Sequence, residues 1–319
     1  MKSKDFGIYV HIPFCDSKCS YCNFVSGVYD NEVKNSYFKA LKNEIMLDCF
    51  LSRNSAVTSI YFGGGTPSSV DSKNIISILN VLKKSFKIDK NAEISIECNP
   101  CSVDFKKLSD YKKAGFTRIS FGAQSFDDEV LNFLNRRHCF TQIFDAIQIA
   151  KKVGFENISI DLIIGVKKTD FLNFEQNVSK LKNMGLKHIS VYMLMLESGT
   201  KLFTEYQNNI FEPLSDDECV FEYNKILKIL KNLGFYRYEI SNFALKNFEC
   251  KHNQNYWNCG EYLGFGVASH SFIKGKRIET TSKIFEYINH FNELNEKNKF
   301  NKLNELNRHK KLKNTLCLL

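Results

Sequence analysis

Residues His11–Phe24 read HIPFCDSKCSYCNF. Cys15, Cys19 and Cys22 follow a C-x3-C-x2-C spacing, and Phe24 stands where one more cysteine would extend the run. Three thiolates in one short loop can converge on a single metal centre. A structural zinc takes four ligands in a closed tetrahedron, and a [4Fe–4S] cluster ordinarily takes four as well. The loop offers three. His11 or a distant cysteine can complete a zinc site, although no such partner stands at a usual short spacing. With a cluster, one iron is left open to a small molecule, which suits ligand exchange or chemistry. Reduced, buried cysteines are the plain structural reading, and the spacing argues against it.

The rest of the composition narrows the setting. The chain has 319 residues, with 43% hydrophobic and 25% charged, which are globular values. No run of about 18 apolar residues occurs, and the N-terminus lacks an apolar signal region, so a cytoplasmic protein is expected. Of the 11 cysteines, eight lie scattered at no regular spacing. In a long chain without a secretory signal, they do not form a disulfide framework. The net charge of +9 is spread along the chain. Its one dense basic segment, Arg308–Lys313, reads as a solvated helix face, so no nucleic-acid partner is expected.

Around the cysteine loop, short apolar runs alternate with helical patterns. Strands are predicted at Phe6–Ile12, Ser59–Phe62, Glu93–Glu97, Arg118–Gly122, Asn157–Ile164 and His188–Met193. Val33, Tyr37, Leu41 and Ile45 fall four apart along one helix face. Further helices cover Phe105–Lys113, Phe140–Lys152 and Phe171–Asn183. Gly115, Gly154 and Gly185 follow them where a left-handed C′ residue would sit. Six strand–helix units with short connections predict an α/β protein with a parallel sheet, closed as a barrel or partial barrel or left open. Beyond residue 200 the pattern changes. Ser215–Glu218 is a capping-box sequence opening a helix that stops at Gly234, and Tyr236–Ile240 reads as a seventh strand. A polar, aromatic stretch, CKHNQNYWNCGEYLGFG, follows. The organisation expected is a barrel over 1–200, an extension over 201–280, and a Lys/Asn-rich tail over 281–319.

The C-x3-C-x2-C loop, with Tyr21 just before its third cysteine, resembles the radical S-adenosylmethionine (SAM) family. About 40 residues on, YFGGGTPS (Tyr61–Ser68) ends the next predicted strand, and glycines there let backbone N–H groups approach a ligand closely. YVHIPFC, GGGTPS, ECNP (Glu97–Pro100), RISFGAQSF (Arg118–Phe126) and DLIIG (Asp161–Gly165) are similar, in this order, to the oxygen-independent coproporphyrinogen oxidase group. The resemblance implies a partial (β/α)6 barrel. It implies a [4Fe–4S] cluster on Cys15, Cys19 and Cys22, with SAM on the open iron. It also implies a SAM site of Tyr9, Tyr21, Gly64, Gly65, Thr66, Glu97, Gln124, Arg136 and Asp161. From the residues alone, Glu97, Gln124 and Asp161 stand at or near C-terminal strand ends, where barrel enzymes place their sites. Arg136 can pair with a carboxylate or lie on the surface, and Asp161 can equally be a helix cap.

Within the group, the oxidases carry the additional cysteine and a longer N-terminus. Phe24 and the 14 residues before Cys15 point instead to the heme-chaperone (HemW) branch. His252–Trp257, HNQNYW, matches that branch's HNxxYW motif. Histidine is a common axial ligand of heme iron, and Tyr256 and Trp257 could stack on a porphyrin. Cys250 is a candidate second ligand. The alternative is that His252 is a hydrogen-bonded structural residue and the aromatic pair is core. The family continues into a small helical C-terminal domain about where this chain stops, so a shortened product is expected. The resemblance implies a protein that binds heme and passes it to acceptor proteins, membrane-associated ones among them. The rival is oxidative decarboxylation of coproporphyrinogen III. A radical-SAM enzyme that modifies RNA or protein is a third reading.

Overall fold

The computed structural model describes residues 6–49, 56–297 and 311–313. Among them are twelve strands: β1 (Phe6–Ile12), β2 (Val57–Gly64), β3 (Ile88–Cys98), β4 (Arg118–Gln124), β5 (Asn157–Ile164), β6 (Leu186–Met193), β7 (Tyr236–Arg237), β8 (Asn242–Ala244), β9 (Glu261–Phe265), β10 (His270–Ile273), β11 (Lys276–Glu279) and β12 (Lys311–Lys313). The described residues divide into two compact units. One holds the chain up to Asp16, Val25–Ile96 and the part from Cys250 onward; the other holds Ser17–Phe24 and Glu97–Glu249.

In the first unit β1 lies between β2 and β9, parallel to both, and β3 runs parallel to β2. From β9 the order continues through antiparallel β10, β11 and β12. Successive strand residues face opposite sides, so the register sorts the side chains into two faces. Ile8 pairs with Ile60 and Leu263, Val10 with Phe62 and Phe265, and Ile60 with Ile94. All of these are buried. They form the core with Tyr37, Leu41 and Ile45 of the helix Asn31–Asp48 and Ile75, Ile78, Leu79 and Leu82 of the helix Ser72–Ser85. Each such aliphatic side chain contributes about 1.5–3 kcal/mol on burial. The opposite face is polar and aromatic: Gly7 pairs with Ser59, Ser59 with Glu93, Tyr9 with Tyr61, and Tyr61 with Ser95.

The second unit repeats this plan. Strands β4, β5 and β6 are parallel, and β6 continues through antiparallel β8 and β7. Ile119, Phe121, Ile158, Ile160, Ile189 and Val191 are buried on one face. The rows Ser120–Ser159–His188 and Gly122–Asp161–Ser190 occupy the other. The helices Phe105–Ala114, Phe140–Val153 and Phe171–Met184 end on Gly115, Gly154 and Gly185, with φ of 103°, 98° and 119°, as predicted. The predicted capping box closes at both ends. Ser215 Oγ accepts from Glu218 N, and Ser215 N donates to Glu218 Oε2 at 3.1 Å.

Other expectations change. The predicted strand Tyr236–Ile240 shrinks to Tyr236–Arg237, because the chain turns at Tyr238, whose N–H donates to Asn242 O, and pairs back as β8. The motif HNQNYW forms a short helix, Lys251–Trp257. The tail contributes the helix Ile284–Lys297. Lys311–Lys313 is a strand rather than a helix face, and residues 308–310 lie outside the described ones. Among the described residues no helix is long and apolar enough to cross a membrane.

Candidate functional site

The polar faces carry Tyr9, Glu97, Gln124 and Asp161, and most of the other sequence-predicted residues lie in the loops and turns around the strands. In the first unit, the backbone after β1 is bracketed by a distant turn. Cys15 N donates to Gly27 O and Gly27 N to Pro13 O, both at 2.9 Å. The GGGTP segment closes against the same backbone, with Gly65 N to Ile12 O at 2.9 Å and Thr66 N to Phe14 O at 2.8 Å. Cys15 Sγ stands 3.7 Å from Thr66 Oγ1. Only glycine fits at 65: a Cβ there would lie 2.8 Å from Phe14 O and 3.0 Å from Cys15 Sγ. Gly64 has a φ of 113°, and a Cβ on it would meet the His11 ring at 2.7 Å.

His11 is buried, which pulls its imidazole below the usual range and keeps it neutral. Its Nε2 donates to Val25 O at 2.8 Å, so Nδ1 is the acceptor, 3.1 Å from Tyr9 OH. With both nitrogens engaged, His11 is not a ready zinc ligand.

In the second unit Ser17–Phe24 is clamped by the turn after the helix Asp128–Phe133. Ser20 N donates to Leu134 O, Ser20 Oγ to Phe133 O, and Asn135 Nδ2 to Lys18 O. Tyr21 packs against Val130, Leu134 and Val166. Burial pushes its phenol far above the ordinary range, and nearby Arg136 opposes this. Arg136 joins the pieces: Nη1 donates to Cys19 Sγ at 3.4 Å and Nη2 to Gly122 O at 2.7 Å. It is therefore not a surface residue. Its Nε is buried and has no hydrogen-bond partner among the described residues. Gln124 ends β4 with a φ of 65°, after a register shift that brings its amide within 3.0 Å of a Cβ built on Gly122.

Asp161 lies within β5 and is not a helix cap. Its carboxylate accepts from Ser120 Oγ at 3.1 and 3.2 Å. Enclosure raises its pKa, against the opposing pull of Ser190, Arg118, Ser120 and Arg136. Glu97 stands near the end of β3, partly exposed. Cys19 and Cys22 are joined by one backbone turn, Cys22 N to Cys19 O at 3.3 Å. No disulfide links the described cysteines. Among the described residues, no three His, Cys, Asp or Glu side chains already stand together as a metal-holding group.

The motif HNQNYW turns inward. His252 is 1% exposed; its Nδ1 lies 2.9 Å from Ser59 Oγ and its Nε2 2.8 Å from Tyr256 OH. As placed, it reaches heme iron only by giving up one of these partners. Cys250 is buried too and directs its thiol to Glu93 Oε1 at 3.4 Å, away from a second-ligand role. Tyr256 makes T-shaped contacts with His252 and Tyr262, while Trp257 is 37% exposed.

The polar faces include residues that the resemblance did not assign to the site: Ser59, Glu93, Arg118, Ser120, His188 and Ser190. Their signal was the alternation in SIYF, EISIE, RISFG and HISVY. Buried His188 bridges Ser159 Oγ and Tyr238 OH, both at 2.7 Å.

Comparisons with known proteins fit this geometry. The Radical SAM superfamily matches residues 9–181. The heme chaperone HemW of Bacillus subtilis (strain 168) is 30% identical over 282 residues, covering 88% of this chain and 74% of that protein. HemW of Buchnera aphidicola subsp. Acyrthosiphon pisum is 35% identical over 281 residues, covering 85% and 71%. Among solved structures, the coproporphyrinogen III oxidase HemN of Escherichia coli, a radical SAM enzyme, superposes with a TM-score of 0.78. It is 24% identical, over 91% of this chain and 70% of that one, a likeness that carries the α/β fold.

Proposed function

We propose, from the premise that this chain belongs to the radical SAM superfamily and to its HemW heme chaperones, that it binds heme and hands it to heme-requiring acceptors. We place it in the cytoplasm, with acceptors at the membrane included. The family implies a [4Fe–4S] cluster and SAM, and the residues present fit both. The three thiols would hold the cluster. The Gly65 cradle leaves room beside Cys15 that any Cβ would fill. Arg136 sets a positive charge on Cys19 Sγ and keeps a buried Nε–H for a further acceptor, such as the SAM carboxylate. Tyr9, Tyr21, Gly64, Thr66, Glu97, Gln124 and Asp161 would complete the SAM site. Held there, the cluster would supply a one-electron couple beside the SAM sulfonium.

The observation that carries the chaperone reading is Phe24. It stands 63% exposed where the oxidases of the group add a cysteine. The test is a hemin titration of anaerobically reconstituted protein, followed by the heme absorption band and by Trp257 emission. Saturable, stoichiometric binding is expected. Decarboxylation of coproporphyrinogen III with release of 5′-deoxyadenosine, and no saturable hemin binding, would overturn the reading.

A further inference from the structure

His252 sits at one end of a continuous set of contacts that leads to the cysteine loop. Its ring stacks on Tyr61, with centroids 5.3 Å apart and 23° between planes. Tyr61 in turn stacks on Tyr9 at 6.4 Å and 19°. Tyr9 also faces His252 directly, at 6.5 Å and 28°. Tyr9 OH donates to His11 Nδ1, and His11 Nε2 donates to Val25 O. Val25 enters the turn whose Gly27 brackets Cys15.

The far end is built as tightly as the near one. Gly7 opens the space for His252, since a Cβ there would lie 3.3 Å from the ring's Cε1 and 3.1 Å from Asn255 Nδ2. Ser59 and Tyr256 fix the ring's rotation from both nitrogens. Glu93 Oε1 accepts from the Cys250 thiol and from His252 N at 3.5 Å, seating the start of the short helix.

We propose that His252 is a positioning residue for the iron–sulfur segment: through Tyr61, Tyr9 and His11 it sets the place of Cys15. This rests on the reading that Cys15 is a cluster ligand. Outer-shell partners of metal ligands typically change metal affinity by 10–100-fold, and an effect relayed through three side chains belongs at the low end.

The experiment uses the full chain, reconstituted anaerobically, as wild type, His252→Phe and Tyr9→Phe. His252→Phe keeps a ring on Tyr61 and loses both nitrogen bonds; Tyr9→Phe removes one hydroxyl, so the fold survives. Three readouts are taken: the rate of iron loss to a chelator, the electron paramagnetic resonance spectrum of the reduced cluster, and hemin stoichiometry. Both variants are expected to lose iron about tenfold faster and to show an altered cluster spectrum, while His252→Phe still binds hemin with an unchanged absorption band. An unchanged cluster in both variants overturns the inference and leaves the cluster assignment standing. A lost or shifted heme band in His252→Phe with an unaltered cluster makes His252 a heme ligand instead. A wild type that takes up no cluster removes the cluster reading and this inference together.

Discussion

Arg136 ties a cysteine, a strand carbonyl and an unspent donor together with one planar group. A lysine carries the charge but not the fork. Arg136→Lys should keep the fold and weaken SAM binding about tenfold or more, the worth of a hydrogen bond to a charged group, as read by equilibrium binding to reconstituted protein. Two residues on, His138 is buried with Nε2 donating to Ala123 O at 3.0 Å. Burial first, and Arg136 second, lower its pKa from 6.5 to about 4. Between these values the unfolded chain takes up a proton that the folded chain refuses. Stability therefore falls as pH drops through that window, by about 3 kcal/mol in all. In denaturant melts, His138→Gln should flatten that stretch of the profile. The same slope in the variant would place the proton uptake elsewhere.

At the scale of elements, what could be read from sequence depended on whether the signal was local. The bounds of β1 and β5 match expectation because apolar runs there end at turn residues. The glycines after three helices were equally plain, since φ near +100° is a local demand. The polar face was written in the alternation of RISFG and NISID, but the resemblance gives its serines no role. The helix Lys251–Trp257 was hidden because what seats it comes from afar: Gly7, Ser59 and Glu93 lie on three strands of the sheet beneath it. The same holds for Glu222 of the helix Asp216–Asn232. It accepts from Thr169 N at 2.6 Å and from Thr169 Oγ1 at 2.9 Å, tying down the segment after β5. Glu222→Ala should cost about 2 kcal/mol, because it removes both hydrogen bonds to a buried carboxylate and leaves a partly buried backbone donor without its acceptor. Chemical denaturation measures this, and a loss below about 0.5 kcal/mol would show that the tie does not matter.

For the molecule as a whole, both units follow one plan: an apolar sheet face holds the core, and the opposite face is polar. The cysteine motif is divided between them, Cys15 in one and Cys19 with Cys22 in the other. The motif was readable from spacing alone; this division was not, because it depends on which distant turn holds each thiol. Gly27 brackets Cys15, and the Phe133–Arg136 turn clamps Ser20.

If this chain carries heme to other proteins, the transfer itself can be followed. Protein bearing cluster and heme would be mixed anaerobically with a heme-free b-type cytochrome, and both absorption spectra followed in time. The donor's heme band is expected to decay as the acceptor's spectrum grows, and Cys19→Ser, at one of the three thiols proposed to hold the cluster, is expected to abolish or slow the transfer. Heme that stays on the donor, together with SAM-dependent decarboxylation of coproporphyrinogen III by the same preparation, would contradict it.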